Sequence, residues 1–195
     1  MTKEKFDEFL KIKQDILSKE DKSFIGQIDS KIQKLCDTIN SSKDLFTLSS
    51  CSGRVCILET AANNNKKLSK WLCVTHDLAD FDEFNKVLNE YDGENVLYFR
   101  QESAILHVCT KNLEIAAEFL KVAKECGFNK CNIMTIAENK ISVEIIHSQI
   151  LQIPIYDKKI LITQDYLKYL ILLGNEKQKK TWETIERLRD KVIKG

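Results

Sequence analysis

The chain has 195 residues, of which 43% are apolar and 30% are charged, and its formal net charge is +1. This balance is typical of globular proteins and excludes a disordered or fibrous chain, and the length predicts one domain over residues 1–195. The apolar runs are far shorter than the roughly 20 residues of a membrane-spanning helix. Because the N-terminus also lacks the apolar core of a secretory signal, we expect a cytoplasmic protein.

The N-terminal half changes from helical to strand periodicity. Apolar residues recur at helical spacing over 6–17 and 28–39, which predicts two amphipathic helices with a polar turn, Asp21 to Gly26, between them. From residue 45 to residue 76, short β-branched and aromatic runs are broken by Ser-Gly and Asn-rich turns. These runs predict strands. The strands are placed at 45–48, 55–58 and 71–75, with Asn63 to Lys67 as a hairpin loop.

The C-terminal half continues with helices and strands in groups. Asp80 predicts the cap of a helix that runs toward Tyr91, Asn112 caps a second helix, and Gly127 ends that helix in the left-handed conformation. Grouped elements favour an α+β fold, with a mixed sheet flanked by helices, over a doubly wound sheet. The remaining elements are strands at 96–99 and 105–108, a hairpin of 133–136 with 141–146 that turns at Glu138 and Asn139, and helices at 166–173 and 177–192 after Pro154.

The cysteines number seven, and no CxxC motif occurs among them. An odd number of scattered cysteines, several of them in apolar strands, indicates reduced thiols. Their spacing also disfavours a zinc site, so no metal is expected. No GxGxxG motif or P-loop is present, which excludes the usual glycine-rich nucleotide-binding loops.

The segment Thr47 to Arg54 combines hydroxyl groups, a glycine and a guanidinium between two predicted strands. Such a turn can bind a phosphate or a carboxylate through backbone N–H groups, hydroxyls and a bidentate arginine. A turn whose serines satisfy their own backbone is the other interpretation, and composition alone favours it.

The histidines leave similar alternatives. His76 ends one predicted strand and His107 lies inside another, beside the charged residues Arg100 and Glu102. A histidine in such a position is more often a hydrogen-bonded structural group than a catalyst. Cys51 with His76 could form the nucleophile and base of a thiol hydrolase, although a neutral buried cysteine is commoner.

These motifs, in this order, resemble the tRNA wybutosine-synthesising methyltransferase family, which N-methylates a demethylwyosine-type guanosine beside the anticodon of phenylalanine tRNA. The resemblance covers nearly the whole chain, and the Ser-Ser-Cys-Ser-Gly-Arg block is its most specific part. The motifs are Asp21-x-Ser23-x-x-Gly26-x-Ile28-Asp29, Phe46-Thr47-x-Ser49-Ser50-Cys51-Ser52-Gly53-Arg54, Trp71-Leu72-x-Val74-Thr75-His76, Glu102-x-x-Ile105-Leu106-His107-Val108 and Gly127-Phe128.

The resemblance implies S-adenosyl-L-methionine as the methyl donor, modified tRNA as the substrate and a fold unlike the Rossmann methyltransferases. It implies that His76, His107 or Asp29 accepts the proton that the ring nitrogen loses. An aromatic platform for the unstacked base and nearby basic residues, such as those of the C-terminal helix, are also expected. The implied donor-binding and substrate-binding residues are Asp21, Ser23, Gly26, Ser49, Ser50, Ser52, Gly53, Arg54 and Glu102.

A second interpretation arises from residues that depart from the family pattern. The family commonly carries basic residues where this chain has Phe24, Ile25, Asn129 and Ile146. Each lost cation removes a possible phosphate contact. A module of the same ancestry that binds tRNA without methylating it is therefore the alternative function.

Overall fold

The computed structural model describes residues 3–18, 28–60, 69–138 and 140–194. Within this part of the chain it has five helices and eight strands. No described helix is long and apolar enough to cross a membrane. The helices are Lys3–Leu17 (α1), Ser30–Ser41 (α2), Phe81–Glu90 (α3), Leu113–Cys126 (α4) and Gln164–Lys194 (α5). The strands are Leu45–Cys51 (β1), Arg54–Thr60 (β2), Lys70–Thr75 (β3), Val96–Glu102 (β4), Ile105–Thr110 (β5), Lys130–Ala137 (β6), Lys140–Ile146 (β7) and Leu151–Tyr156 (β8).

The described residues fall into two compact units. Unit 1 comprises those of Met1–Ser52, Ala104–Ser148 and Trp182–Gly195, and unit 2 comprises those of Gly53–Ser103 and Gln149–Thr181. The expectation of one domain over residues 1–195 stays a prediction.

Unit 1 contains a four-stranded antiparallel sheet in the order β1-β5-β7-β6. Strand β7 alternates between buried and half-buried residues, the period of two that places successive side chains on opposite faces. The apolar residues of one face pack against α2, α4 and the end of α5 and form the main core of the unit. Its members include Ile32, Leu35, Leu106, Val108, Phe119, Val143, Ile145 and Leu188.

The opposite face of the unit 1 sheet is covered at one end by α1. Phe9 packs on Phe46, with ring centroids 5.4 Å apart, and on Cys109. The Lys13 ammonium donates to the backbone carbonyls of Asn40, Ser42 and Leu45 near the end of α2, and burial lowers its pKa. His107, two residues before Cys109, shares this face, so the face is apolar near α1 and polar farther along.

Unit 2 contains the second antiparallel sheet, in the order β3-β2-β4-β8, together with α3 and the first part of α5. Alternate residues of β2 and β4 point into its core. Phe84 and Phe99 pack there, with ring centroids 6.0 Å apart. The core also includes Val55, Ile57, Leu88, Leu97, Ile155, Leu167 and Leu170.

The three predicted helix-terminal residues are confirmed. The Asp80 carboxylate accepts from the N–H groups of Asp82 and Glu83 at the start of α3, and Asn112 accepts from Ile115 N at the start of α4. Gly127 ends α4 with φ +113°, where only glycine avoids strain. The α+β class is confirmed as well. The predicted loop at Asn63 to Lys67 and the turn residue Asn139 lie outside the described residues.

The expected mixed sheet is corrected to two sheets in which every described strand pair is antiparallel. The order of elements along the chain does not fix strand direction, and short hairpin connections such as β6–β7 give antiparallel pairs. Strand β8 was not predicted because it contains Pro154, which lacks an N–H donor. As an edge strand, β8 tolerates that loss.

The two predicted C-terminal helices are one continuous helix, α5. Gly174 and Asn175 suggested a break, but tertiary contacts in unit 2 keep both residues helical. A Cβ at Gly174 would lie 3.2 Å from the Phe99 ring, and the Asn175 amide exchanges two hydrogen bonds with the backbone of Ala79, at 2.8 and 3.0 Å.

Stability should fall at alkaline pH because of the buried thiols. Burial raises the pKa of Cys36 and Cys109 to about 11, and of Cys56 and Cys73 to about 12, from an ordinary value of 9.0. Unfolded thiols ionise near pH 9 while folded ones stay protonated. The stability that they contribute is therefore complete below pH 9 and is lost as the pH rises toward about 11 to 12.

We expect the free energy of unfolding, measured by urea titration under reducing conditions, to decrease between pH 9 and pH 11. Each buried thiol contributes a slope of up to about 1.4 kcal/mol per pH unit. Cys36→Ala has one buried thiol fewer. Its free energy of unfolding should therefore decrease less steeply with pH, by up to about 1.4 kcal/mol per pH unit. If the free energy of unfolding changed equally with pH in wild type and Cys36→Ala, the raised pKa of the Cys36 thiol would be contradicted.

Candidate functional site

The segment between β1 and β2 is held by a carboxylate in unit 1. Asp29 Oδ2 accepts from Ser52 N at 2.8 Å and from Ser52 Oγ at 3.1 Å. Asp29 stands at the N-cap position of α2, yet its side chain makes no capping bond to that helix. Ser52 is fully buried, so its polar groups need these bonds. The carboxylate therefore fixes the conformation of the turn.

His107 forms a hydrogen-bonded chain with two strands beside it. Its Nδ1 lies 2.7 Å from Ser49 Oγ on β1, and its Nε2 lies 3.0 Å from Glu144 Oε2 on β7. Ser49 is exposed, whereas the side chains of His107 and Glu144 keep 29% and 17% of their exposed area. The chain of bonds thus runs from an accessible hydroxyl to a more buried carboxylate.

A β-bulge in β1 sets this contact. Thr47 pairs with Val108 and Ser49 pairs with His107, so the register shifts by one residue between them. Regular pairing would place Leu48 opposite His107. The bulge instead brings the Ser49 hydroxyl beside the His107 imidazole. Bulges commonly redirect a side chain in this way near functional residues.

Ser50 faces the other side of the β1 strand. It pairs with Leu106, whose side chain lies in the unit 1 core, and its hydroxyl hydrogen-bonds to the buried Cys36 thiol. Neighbouring residues of a strand point to opposite faces, so Ser49 and Ser50 differ in role. Ser49 is accessible, while Ser50 is tied to the core.

In unit 2, Gly53 occupies a position that no other residue fits. Its φ is +90°, and a Cβ would lie 2.8 Å from the carbonyl oxygen of Glu102 and 2.9 Å from Gln178 Oε1. Gln178 is fully buried on α5. Both the backbone conformation and the lack of space require glycine at this turn.

Arg54 lies in a charged cluster on the β2–β4 pair. Its Nε donates to Glu102 Oε2 at 2.5 Å, and Arg100 Nη1 lies 3.1 Å from Glu102 Oε1. The guanidinium also lies over the indole of Trp71, 4.2 Å from the ring centroid. Within the described part of the chain, Nη1 and Nη2 of Arg54 have no hydrogen-bond acceptor. One carboxylate thus faces two guanidinium groups.

The structure sorts the predicted residues into sets. Unit 1 brings together Asp29 with Ser52 and, separately, Ser49 with His107, while unit 2 brings Gly53 and Arg54 to Glu102. His76 is half-buried in unit 2, directly after β3. The predicted residues Asp21, Ser23 and Gly26, and the departures Phe24 and Ile25, lie outside the described residues.

Sequence reasoning missed Glu144 and Gln178, and it found Trp71 in a family motif without giving that residue a role. Glu144 lies between the apolar residues Val143 and Ile145, in a strand whose residues alternate between buried and half-buried. This pattern alone could have predicted that Glu144 points away from the core. Its contact with His107 depends on the register of β5 on β7, which the sequence does not encode locally.

Comparison with known families places this fold among the methyltransferases, although neither sheet is doubly wound. More narrowly, the chain belongs to the family described as methyltransferase TYW3, whose model matches residues 3–194.

Similar proteins agree with this membership. A "tRNA(Phe) 7-((3-amino-3-carboxypropyl)-4-demethylwyosine(37)-N(4))-methyltransferase" of Thermococcus sibiricus is 35% identical over 87% of this chain and 86% of its own length. A protein of the same name from Methanocaldococcus jannaschii is 34% identical over 86% of this chain and 87% of its own. The solved structure of PH1069 protein from Pyrococcus horikoshii superposes with a TM-score of 0.86 at 29% identity, covering 96% of this chain and 97% of that one.

Gly53→Ala should destabilise unit 2 by about 1–3 kcal/mol, because alanine is strained at positive φ and its Cβ would meet a backbone carbonyl. Urea unfolding measures this loss. The matched control is Ser49→Ala in the same block, where an exposed hydroxyl is removed and the change should stay below about 1 kcal/mol. Wild-type stability in Gly53→Ala would contradict the packing described for Gly53.

Proposed function

We propose that this chain transfers a methyl group from S-adenosyl-L-methionine to a ring nitrogen of the demethylwyosine-type guanosine beside the anticodon of phenylalanine tRNA. The family match over residues 3–194 carries the proposal. The names of relatives 31–35% identical to the chain point to the same reaction. The hydroxyl-Gly-Arg block and His107 supply groups that such a reaction needs.

The charged cluster of unit 2 suits the amino-acid end of the methyl donor. That end carries one carboxylate and one ammonium group. Arg54 has two terminal nitrogens available for the carboxylate, and Glu102 offers an anion for the ammonium group. Bound there, the donor supplies an electrophilic methyl group on a sulfonium.

Trp71 is the strongest candidate for the expected aromatic platform. It lies on the edge strand β3, its indole is 41% exposed, and Arg54 covers the ring from one side. Base stacking on an aromatic ring contributes about 1–3 kcal/mol per base. We assign Trp71 to the unstacked tRNA base, which would stack on the ring face opposite the Arg54 guanidinium.

His107 is better placed than Asp29 to accept the proton. N-methylation of a neutral ring nitrogen releases a proton, and a base near neutral pKa accepts it most efficiently. Asp29 already accepts two hydrogen bonds from Ser52. The chain of hydrogen bonds through His107 instead ends at the accessible Ser49 hydroxyl.

The two other interpretations are not favoured. A tRNA-binding module without activity would not need the Arg54–Glu102 cluster or the bonded His107. A thiol hydrolase would need Cys51 as its nucleophile, whereas a methyltransferase makes no covalent intermediate at that thiol.

Donor binding should depend on Arg54. We expect calorimetric titration of the wild type with S-adenosyl-L-methionine and S-adenosylhomocysteine to show binding of both, and Arg54→Ala to weaken it about 10-fold to 100-fold through loss of a charge-assisted contact. Arg54→Lys keeps the positive charge but cannot form the bidentate contact of a guanidinium. Its affinity for the donor should lie between those of the wild type and Arg54→Ala. Cys51→Ser is the control and should bind like the wild type. Equal binding by wild type and Arg54→Ala would remove Arg54 from the donor site.

Stacking at Trp71 can be read from its fluorescence. The chain has two tryptophans, so Trp182→Phe leaves Trp71 as the reporter. Addition of phenylalanine tRNA that lacks the methyl group should quench this emission. Trp71→Ala should weaken tRNA binding about 5-fold to 150-fold, the equivalent of about 1–3 kcal/mol, while Trp71→Phe should retain most of it. Unchanged emission at saturating tRNA would contradict the stacking role.

A further inference from the structure

A row of polar side chains crosses the whole unit 1 sheet. Ser49 on β1, His107 on β5 and Glu144 on β7 are successive partners in register, and Asn132 on the edge strand β6 pairs with Glu144. Asn132 Nδ2 lies 3.4 Å from Glu144 Oε1. All four share the sheet face opposite the main core of the unit, because antiparallel partners project to the same side.

The carboxylate determines the tautomer of the imidazole. An ionised Glu144 can only accept, so His107 Nε2 must carry the proton of that 3.0 Å bond. In neutral His107 this leaves a lone pair on Nδ1, and the Ser49 hydroxyl, 2.7 Å away, must donate to it. Both bonds are then satisfied by one protonation state, with the lone pair directed at the accessible hydroxyl.

The exposures give the row a direction. Ser49 is the exposed member, His107 is intermediate, and the Glu144 carboxylate is the most buried, at 17%. Among the described residues of unit 1, the groups hydrogen-bonded to the His107 ring are the Ser49 hydroxyl from β1 and the Glu144 carboxylate from β7, and the Cys51 thiol lies two residues beyond Ser49 on the same strand. A proton that arrives at Ser49 would therefore move toward the negative charge.

We propose that Ser49, His107 and Glu144 form a proton relay, with Glu144 as its positioning residue. This inference rests on the methyl transfer proposed above. The substrate nitrogen loses its proton to Ser49 Oγ as the Ser49 hydroxyl proton passes to His107 Nδ1. The nitrogen forms a bond to the methyl carbon, the sulfur–methyl bond breaks, and sulfur keeps that electron pair. The resulting imidazolium is stabilised by Glu144.

The deciding experiment compares wild type with Glu144→Gln and Glu144→Asp. Single-turnover methyl transfer at saturating donor and tRNA should fall about 100-fold in Glu144→Gln, within the range for a positioned general base. The concentrations of donor and tRNA that half-saturate the reaction should stay at their wild-type values, because Glu144 acts through His107. Glu144→Asp, which keeps the charge, should recover part of the rate.

The tautomer of His107 can be measured without substrate, and this measurement tests the role of Glu144 independently of methyl transfer. The chain has three histidines, so nitrogen NMR can assign His107 by comparison with His107→Gln and follow its tautomer. We expect the Nε2–H form to dominate in wild type and a mixture of tautomers in Glu144→Gln. The exposed Glu90→Gln on α3 is the control and should keep the wild-type tautomer and rate.

The outcomes are distinct. An unchanged rate in Glu144→Gln would overturn the relay. Loss of rate with an unchanged tautomer would also overturn it, since that pattern is structural damage. If the wild type transfers no methyl group, the proposed function fails, while the tautomer of His107 still decides whether Glu144 positions it.

Discussion

The hydrogen bonds from Ser52 to the Asp29 carboxylate are the constraint on which the candidate site depends. They fix a turn in which Ser52 ends one strand region and Gly53, at positive φ, begins the next. Strand geometry then dictates where the flanking side chains point. In unit 1, β1 leads into this turn, and the β-bulge of β1 brings Ser49 to His107.

The basic side chains of the candidate site, Arg54 and His107, are each paired with an acid that limits their freedom. Glu102 lies between Arg54 and Arg100, and Glu144 holds His107. Methyl transfer from a sulfonium requires alignment and removal of water more than strong acid catalysis. Side chains fixed in advance lose little entropy on binding, so this pairing favours a preorganised site.

The sequence predicted elements whose signals are local. Periodicity located most of the helices and strands, and the caps at Asp80, Asn112 and Gly127 follow from hydrogen bonding and backbone conformation within one turn. Non-local features were not predictable. The bulge that brings Ser49 to His107, the register that adds Glu144, and the Trp71–Arg54 contact all depend on strand pairing. Strand β8 was hidden by Pro154, and α5 was predicted as two helices because its continuity through Gly174 depends on tertiary contacts. The resemblance supplied candidate residues, and the structure supplied their partners.

The central claim is that this chain methylates the tricyclic guanosine of phenylalanine tRNA. The most direct measurement incubates the purified chain with S-adenosyl-L-methionine labelled in its methyl group and with tRNA from cells that lack this enzyme, followed by nucleoside analysis. The account predicts label in the demethylwyosine-type nucleoside and none in the same tRNA with an unmodified guanosine. Binding of donor and tRNA without label in that nucleoside would contradict it and would identify a tRNA-binding module.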